Sequence, residues 1–180
     1  KYLKKNPNIL GYEIMNEPWA GNIFKRPWLI LPGYADYYNL EQFYNTIYND
    51  IKTIDPLRLF LYESVTWSIF SSGFKKLPGN NSVLSYHGYF LGDKEGPNFN
   101  VKQLYRARMH DLTKYNSAGI LTEFNPNSIY LYDLLEHSDR NKQSWISWNY
   151  KIFYNITGDD SSFYYVNGTL NSNKIKQLSR

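Results

Sequence analysis

Five short apolar runs recur along this chain, each ending in polar or reactive side chains: Ile9–Asn16, Arg58–Ser64, Ser82–His87, Gly119–Glu123 and Ser144–Asn149. Segments this short, apolar on both alternations, suit strands buried on both faces, as in a parallel sheet covered by helices. A buried helical segment competes for any single run, but enrichment in Tyr, Ile, Val and Trp favours strand.

The stretches between the runs carry the other period. Leu40, Phe43, Tyr44, Ile47, Tyr48, Ile51 and Ile54 fall at i, i+3, i+4, i+7, i+8, i+11 and i+14, one face of a helix. Asn39 followed by Gln42 has the form of a capping box, and Asp55-Pro56 closes the helix. Val101, Leu104, Tyr105, Met109 and Leu112 share a second helical face, with Asn100 and Gln103 again in the form of a cap. Asp133–His137 is a shorter helical candidate, and the tail from Asn167-Gly168 to Arg180 reads as a turn and a final helix. The connection Val65–Asn81, with its Ser-Ser-Gly and Pro-Gly, shows no clean period and is the weakest crossover.

Strand–helix alternation implies a parallel sheet with right-handed crossovers. Five strands allow an open doubly wound sheet or part of a barrel. Four of the five runs deliver candidate catalytic or sugar-contacting residues at their C-terminal ends, the pattern of a barrel's top face. An open sheet gathers its ligand at one switch point, and no Gly-rich phosphate loop follows any run. The expected fold class is therefore α/β, a TIM (β/α)8 barrel.

Composition removes several function classes. Net charge is +4 with basic residues spread rather than striped, so no nucleic-acid partner is expected. The absence of Cys excludes a disulfide framework and any thiolate metal site or nucleophile. No apolar run is long enough for a transmembrane segment. Neither a metal nor a cofactor is expected. Aromatic content is high, 18%, which suits packing against the flat faces of sugar rings. Core filling with a codon bias toward Tyr and Asn explains it equally well. Asn80, Asn155 and Asn167 stand in Asn-x-Ser/Thr acceptors, which permits a secreted or lysosomal protein. The opening KYLKKNPN reads as the basic last turn of a helix broken by Asn6-Pro7, so residues 1–180 are expected to be a portion of a longer domain.

The chemistry sits at two strand ends. The first run closes on Ile14-Met15-Asn16-Glu17-Pro18 and the fourth on Ile120-Leu121-Thr122-Glu123-Phe124. Either Glu alone would usually be a surface or ion-paired residue. Both at the ends of non-adjacent parallel strands is the arrangement of a retaining glycosidase. There one carboxylic acid protonates the leaving oxygen while the other, roughly 5–5.5 Å away, attacks the anomeric carbon.

At these residues the chain resembles a known family. Asn16-Glu17-Pro18, His87-x-Tyr89, Thr122-Glu123-Phe124 and Trp148 are similar to the motifs of glycoside hydrolase family 5, of clan A. GYEIMNEPWAG, LPGYAD, YESVTW, SVLSYHGY, ILTEFN and SWISWNYK together resemble its endoglycoceramidase group, across nearly all the chain. The resemblance implies the C-terminal part of one barrel catalytic domain, about strands 4 to 8. It implies Glu17 as acid/base, Glu123 as nucleophile, and Asn16 as the partner of the substrate 2-hydroxyl. Tyr89 would contact the nucleophile, His87 would support the acid/base, and Trp148 would form a stacking floor for the sugar. Without that pattern, His87 reads as a core histidine and Trp148 as a barrel-filling aromatic.

The implied activity is a retaining endo-β-glycosidase acting between oligosaccharide and ceramide in glycosphingolipids, at a membrane surface. The alternatives are a glucosylceramidase, a β-glucanase, or an inactive glycan- or lipid-binding relative. The resemblance also implies a β-sandwich after Arg180, and an Arg and a His supplied upstream of Lys1, which leaves the activity of this portion alone open. The family commonly has Gly where this chain has Asn125; if φ is positive there, Asn is the least costly substitute. Trp19–Tyr38 and Val65–Phe74 are rich in large apolar residues and form a candidate rim for the ceramide chains. Glu13 lies mid-strand and Asp159-Asp160 in a polar loop. Glu63 ends the second run as either a sugar contact or a structural ion pair.

Overall fold

The computed structural model of the chain describes residues 2–65, 71–89, 99–151 and 162–179. Every apolar run contains a strand: β1 (Gly11–Glu13), β2 (Leu59–Glu63), β3 (Ser82–Gly88), β4 (Gly119–Phe124) and β5 (Ser144–Trp145). They follow one another in the sheet in chain order. The first two pairings are parallel, with Tyr12 opposite Phe60 and Tyr62 opposite Leu84. Parallel neighbours need a crossover. Helices α1 (Glu41–Ile54), α2 (Phe99–Tyr115) and α3 (Leu131–Arg140) supply it after β1, β3 and β4. A final helix, α4 (Ser172–Leu178), follows a turn at Gly168. Among the described residues no helix is long and apolar enough to cross a membrane.

The chain packs as two compact units, Lys1–Tyr86 with Gln103–Ile120, and His87–Lys102 with Leu121–Arg180. In the first, the predicted face of α1 lies on the sheet. Leu40 and Tyr44 are buried, and Phe43, Ile47, Tyr48 and Ile51 pack with them around Phe60, Tyr62, Phe74 and Leu84. The Tyr44 ring meets Tyr62 at 4.9 Å and Phe74 at 6.0 Å, edge to face, a geometry that adds to the burial of each ring. Part of the aromatic surplus is therefore core.

Neither expected capping box forms. Asn39 lies inside a π-helical turn, Asp36–Leu40, that runs unbroken into α1, and its amide donates to the Ala20 carbonyl at 2.7 Å. Asn100 is already helical, because α2 begins at Phe99. A cap must leave the helical backbone to reach back to the first turn, and neither residue does. Asp55 does end α1, with φ −140° ahead of Pro56.

The crossover after β2 has no helix among its described residues, and buried carboxylates fix it instead. Asp36 is fully buried and accepts the Val65 N–H at 2.9 Å and the Gly73 N–H at 2.8 Å. Asp111, also buried, accepts the Ser72 N–H on both oxygens and lies 3.2 Å from the buried Arg108 guanidinium. Burial pushes both carboxyls above their ordinary pKa, against the opposing pull of the N–H donors and Arg108. Gly33, with φ +77°, crosses Gly73 backbone to backbone; a Cβ on Gly73 would lie 1.9 Å from the Gly33 carbonyl oxygen. Val65 and Phe74 are buried here, so the ends of that segment belong to the core rather than to a rim.

In the second unit Leu131, Leu134 and Leu135 form the buried face of α3, and Phe124 meets Trp145 edge-on at 5.8 Å. Pairing between β4 and the last run outlasts β5. Ile146 N–H donates to the Leu121 carbonyl at 2.8 Å and Trp148 N–H to that of Phe124 at 3.1 Å. The buried Lys174 of α4 holds the loop after β4, donating to the Pro126 carbonyl at 3.3 Å and to the Asn127 side chain.

Candidate active site

Glu17 follows β1 in a left-handed backbone conformation, φ +46°, uncommon for a residue with a side chain. Its N–H donates to Glu63 Oε2 at 2.7 Å. Pro18, next in the chain, is buried, while Asn16 and Glu17 are exposed. Glu63, the last residue of β2, is 4% exposed, and its own backbone is tied to Tyr44. The Tyr44 hydroxyl donates to the Glu63 carbonyl at 3.0 Å, and the Glu63 N–H approaches the same hydroxyl at 3.4 Å. Burial raises the Tyr44 pKa, which keeps that hydroxyl protonated. By sequence Glu63 is either a sugar contact or a member of an ion pair. The structure gives its carboxylate a main-chain partner 46 residues away, which no local spacing could reveal.

Glu123 lies on β4, half-buried. The Tyr89 hydroxyl donates to its Oε2 at 3.0 Å, and His87 Nδ1 lies 3.6 Å from the same oxygen. His87 belongs to β3 and Tyr89 follows it directly. Residues two apart on an extended chain share a face, so the His-x-Tyr spacing brings both rings to one carboxylate. The contact expected of Tyr89 is present; His87 stands beside Glu123, a neighbour the sequence did not assign to it. Trp148 is half exposed, its peptide to Asn149 is cis, and its N–H is held by Phe124, the residue after Glu123.

Asn125 is absent from the residues with positive φ. With no positive φ there, the missing Gly imposes no backbone cost, and the Asn125 side chain accepts the Asn127 N–H at 2.8 Å in an Asx turn. Glu13 is exposed at the end of β1. Asn80 and Asn167 are exposed on turns. Asn155, Asp159-Asp160, Ile69 and Phe70 lie outside the described residues.

The family model for cellulase, glycosyl hydrolase family 5, matches residues 1–153, a span that includes both glutamates, His87, Tyr89 and Trp148. The chain belongs to glycosyl hydrolase family 5. It is 39% identical over 158 residues to an endoglycoceramidase of Hydra vulgaris, covering 83% of this chain and 30% of that protein. It is 39% identical over 161 residues to an endoglycoceramidase of Cyanea nozakii, covering 83% of this chain and 31% of the relative. The chain thus spans under a third of the length of either relative. Among solved structures, endo-glycoceramidase II from Rhodococcus sp., in its ganglioside GM3 complex, matches with a TM-score of 0.77 at 16% identity. That match covers 97% of this chain and 42% of the other. The fold is part of a (β/α)8 barrel, as the strand ends predicted.

Proposed function

We propose that the protein is a retaining endo-β-glycosidase that releases intact oligosaccharide from the ceramide of glycosphingolipids. The observation that carries the reading is the 39% identity with endoglycoceramidases over 83% of the chain. In the first step Glu17 gives its proton to the glycosidic oxygen as the bond to the anomeric carbon breaks, and the Glu123 carboxylate takes that carbon. In the second, Glu17, now a carboxylate, takes a proton from water. The resulting hydroxide displaces Glu123 and frees the sugar with its configuration retained. Asn16 would hold the 2-hydroxyl and Trp148 would underlie the sugar. The Tyr89 hydroxyl supports this assignment, since a donor on Glu123 Oε2 fixes the carboxylate's orientation.

The exposed apolar side chains of Trp19, Phe24, Trp28, Ile30 and Leu31 support uptake of ceramide from a membrane surface. Replacing Phe24 and Leu31 together by Ser should slow cleavage of vesicle-borne substrate while sparing a detergent-dispersed one; equal rates on vesicles would end that part of the proposal. The exposed Asn80 and Asn167 support a secreted or lysosomal protein, and the absence of any mobility shift on enzymatic deglycosylation would count against it.

A β-glucanase is the second reading, favoured by the family model's own description as cellulase. Incubation with a ganglioside, glucosylceramide and a soluble β-glucan separates the possibilities. Release of the whole oligosaccharide together with free ceramide is expected. Cleavage of the glucan alone would overturn the glycolipid assignment.

A further inference from the structure

We propose that Glu63 is a positioning residue that fixes the backbone of Glu17 and thereby aims its carboxyl; the inference rests on the reading of Glu17 as acid/base. Glu17 holds φ +46°, and a residue persists in so sparsely populated a conformation only where its surroundings over-determine it. The restraints are visible. β1 leads into it, the buried Pro18 follows it, and its N–H is locked to Glu63 Oε2 at 2.7 Å. Glu63 is immobile in turn. It ends a central strand, is almost fully buried, and has its N–H and its carbonyl within reach of the same Tyr44 hydroxyl. Tyr44 is packed among Phe60, Tyr62 and Phe74. A continuous path therefore runs from the aromatic core through Glu63 to the residue that carries the proton. With the acceptor withdrawn, the Glu17 N–H loses its anchor, φ is free to relax to a negative value, and the side chain swings with it. Misplacement of a reacting group by about 1 Å costs on the order of a hundredfold in rate.

The test uses leaving-group dependence, which a general loss of folding does not change. Protonation matters for a poor leaving group such as an alcohol and hardly at all for 2,4-dinitrophenolate. For each variant of the full-length protein, kcat/KM is measured on lactosylceramide and on 2,4-dinitrophenyl β-lactoside. Glu63→Asp keeps the charge but withdraws the acceptor by one methylene. It should lose roughly 10- to 100-fold on the glycolipid, with a loss at least about tenfold smaller on the activated lactoside. Glu63→Gln, which keeps an acceptor oxygen at the same reach, should recover most of the glycolipid activity. Glu63→Ala repeats the Asp result if its near-ultraviolet dichroism shows a native fold, and the Asp and Gln variants decide the matter if it does not. Equal losses on both substrates in Glu63→Asp, or no loss, would overturn the proposal. Glu17→Gln is the control. A leaving-group-dependent loss there with none in Glu63→Asp discards the positioning role alone. A uniform loss in Glu17→Gln discards the acid/base assignment, and the proposal with it.

Discussion

Replacing Asp36 by Ala tests whether a buried carboxylate fixes the crossover between β2 and β3. The side chain is fully buried and accepts two main-chain N–H groups, of Val65 at 2.9 Å and Gly73 at 2.8 Å. Alanine leaves both donors without that acceptor, and each buried donor left unsatisfied costs about 1–3 kcal/mol. Relief from burying a charge offsets part of that sum of about 2–6 kcal/mol, so the net loss should be about 2–4 kcal/mol. With a urea dependence of about 2 kcal/mol per molar, the unfolding midpoint should fall by roughly 1–2 M. Asp36→Asn retains one acceptor oxygen without the buried charge, and should lose only about 1–2 kcal/mol, under about 1 M. The assay is urea unfolding followed by near-ultraviolet dichroism, which reports the tyrosines packed beside this clamp. A midpoint for Asp36→Ala within about 0.3 M of the wild type would refute the account, because it would mean that the two N–H groups find water or other partners at little cost.

The same site carries a pH signature. Burial holds the folded Asp36 pKa above its ordinary 3.8, so its stabilising share is complete below that value and is lost as pH rises through the folded pKa. The deficit of Asp36→Asn relative to wild type should therefore narrow as pH is raised from 4 towards 7, and urea midpoints across that range would register it; a constant or widening deficit contradicts it. Glu123→Gln should cut turnover by roughly a thousandfold or more while substrate binding survives, read by steady-state kinetics beside calorimetric titration. Tyr89→Phe removes the hydroxyl 3.0 Å from Glu123, a charge-assisted bond, and should lower kcat/KM by about 10- to 100-fold with an unchanged midpoint. Gly73→Ala places a methyl against the Gly33 backbone and should destabilise the protein more than Ala substitutions at exposed positions, as thermal unfolding would show.

What could be read in the sequence is what has a period or a fixed offset. The apolar face of α1 repeats at 3.6 residues, and six of its seven predicted positions, all but Ile54, belong to the core cluster or pack against it. The strand runs end where reactive groups begin, so Glu17, His87 and Glu123 were legible as strand-end residues. The offset His-x-Tyr is local and survived into the contact with Glu123. What could not be read is polar and long-range. The bonds from Asp36 to Gly73 and from Asp111 to Ser72 span 37 and 39 residues and leave no periodic trace. The capping box at Asn39 misled because the π-helical turn Asp36–Leu40 places that residue inside the helix, and the one at Asn100 because α2 has begun by Phe99. LPGYAD was legible as a family marker before its reason was. Gly33 permits the backbone crossing with Gly73, and Asp36 accepts the Gly73 N–H there.

That reason also separates carboxylates that look alike in the sequence. Glu17, Asp36, Glu63 and Glu123 all lie at or just beyond strand ends or in the connections that follow them, and composition ranks none above another. Their partners do. Asp36 and Glu63 are buried and accept main-chain N–H groups, and a carboxylate so placed secures backbone and is screened from solvent. Glu123 accepts instead from a tyrosine hydroxyl on a partly exposed side chain, and Glu17 is exposed, its backbone rather than its carboxylate being the group that Glu63 anchors. In the proposed mechanism the backbone-accepting carboxylates hold the chain still, and Glu17 and Glu123 are the ones left to exchange protons or attack carbon. The first kind is a condition for the second. If Glu17 is the acid, a glutamate in a left-handed turn serves only while something fixed, buried and complementary keeps it there, and Glu63 is the group placed to do so.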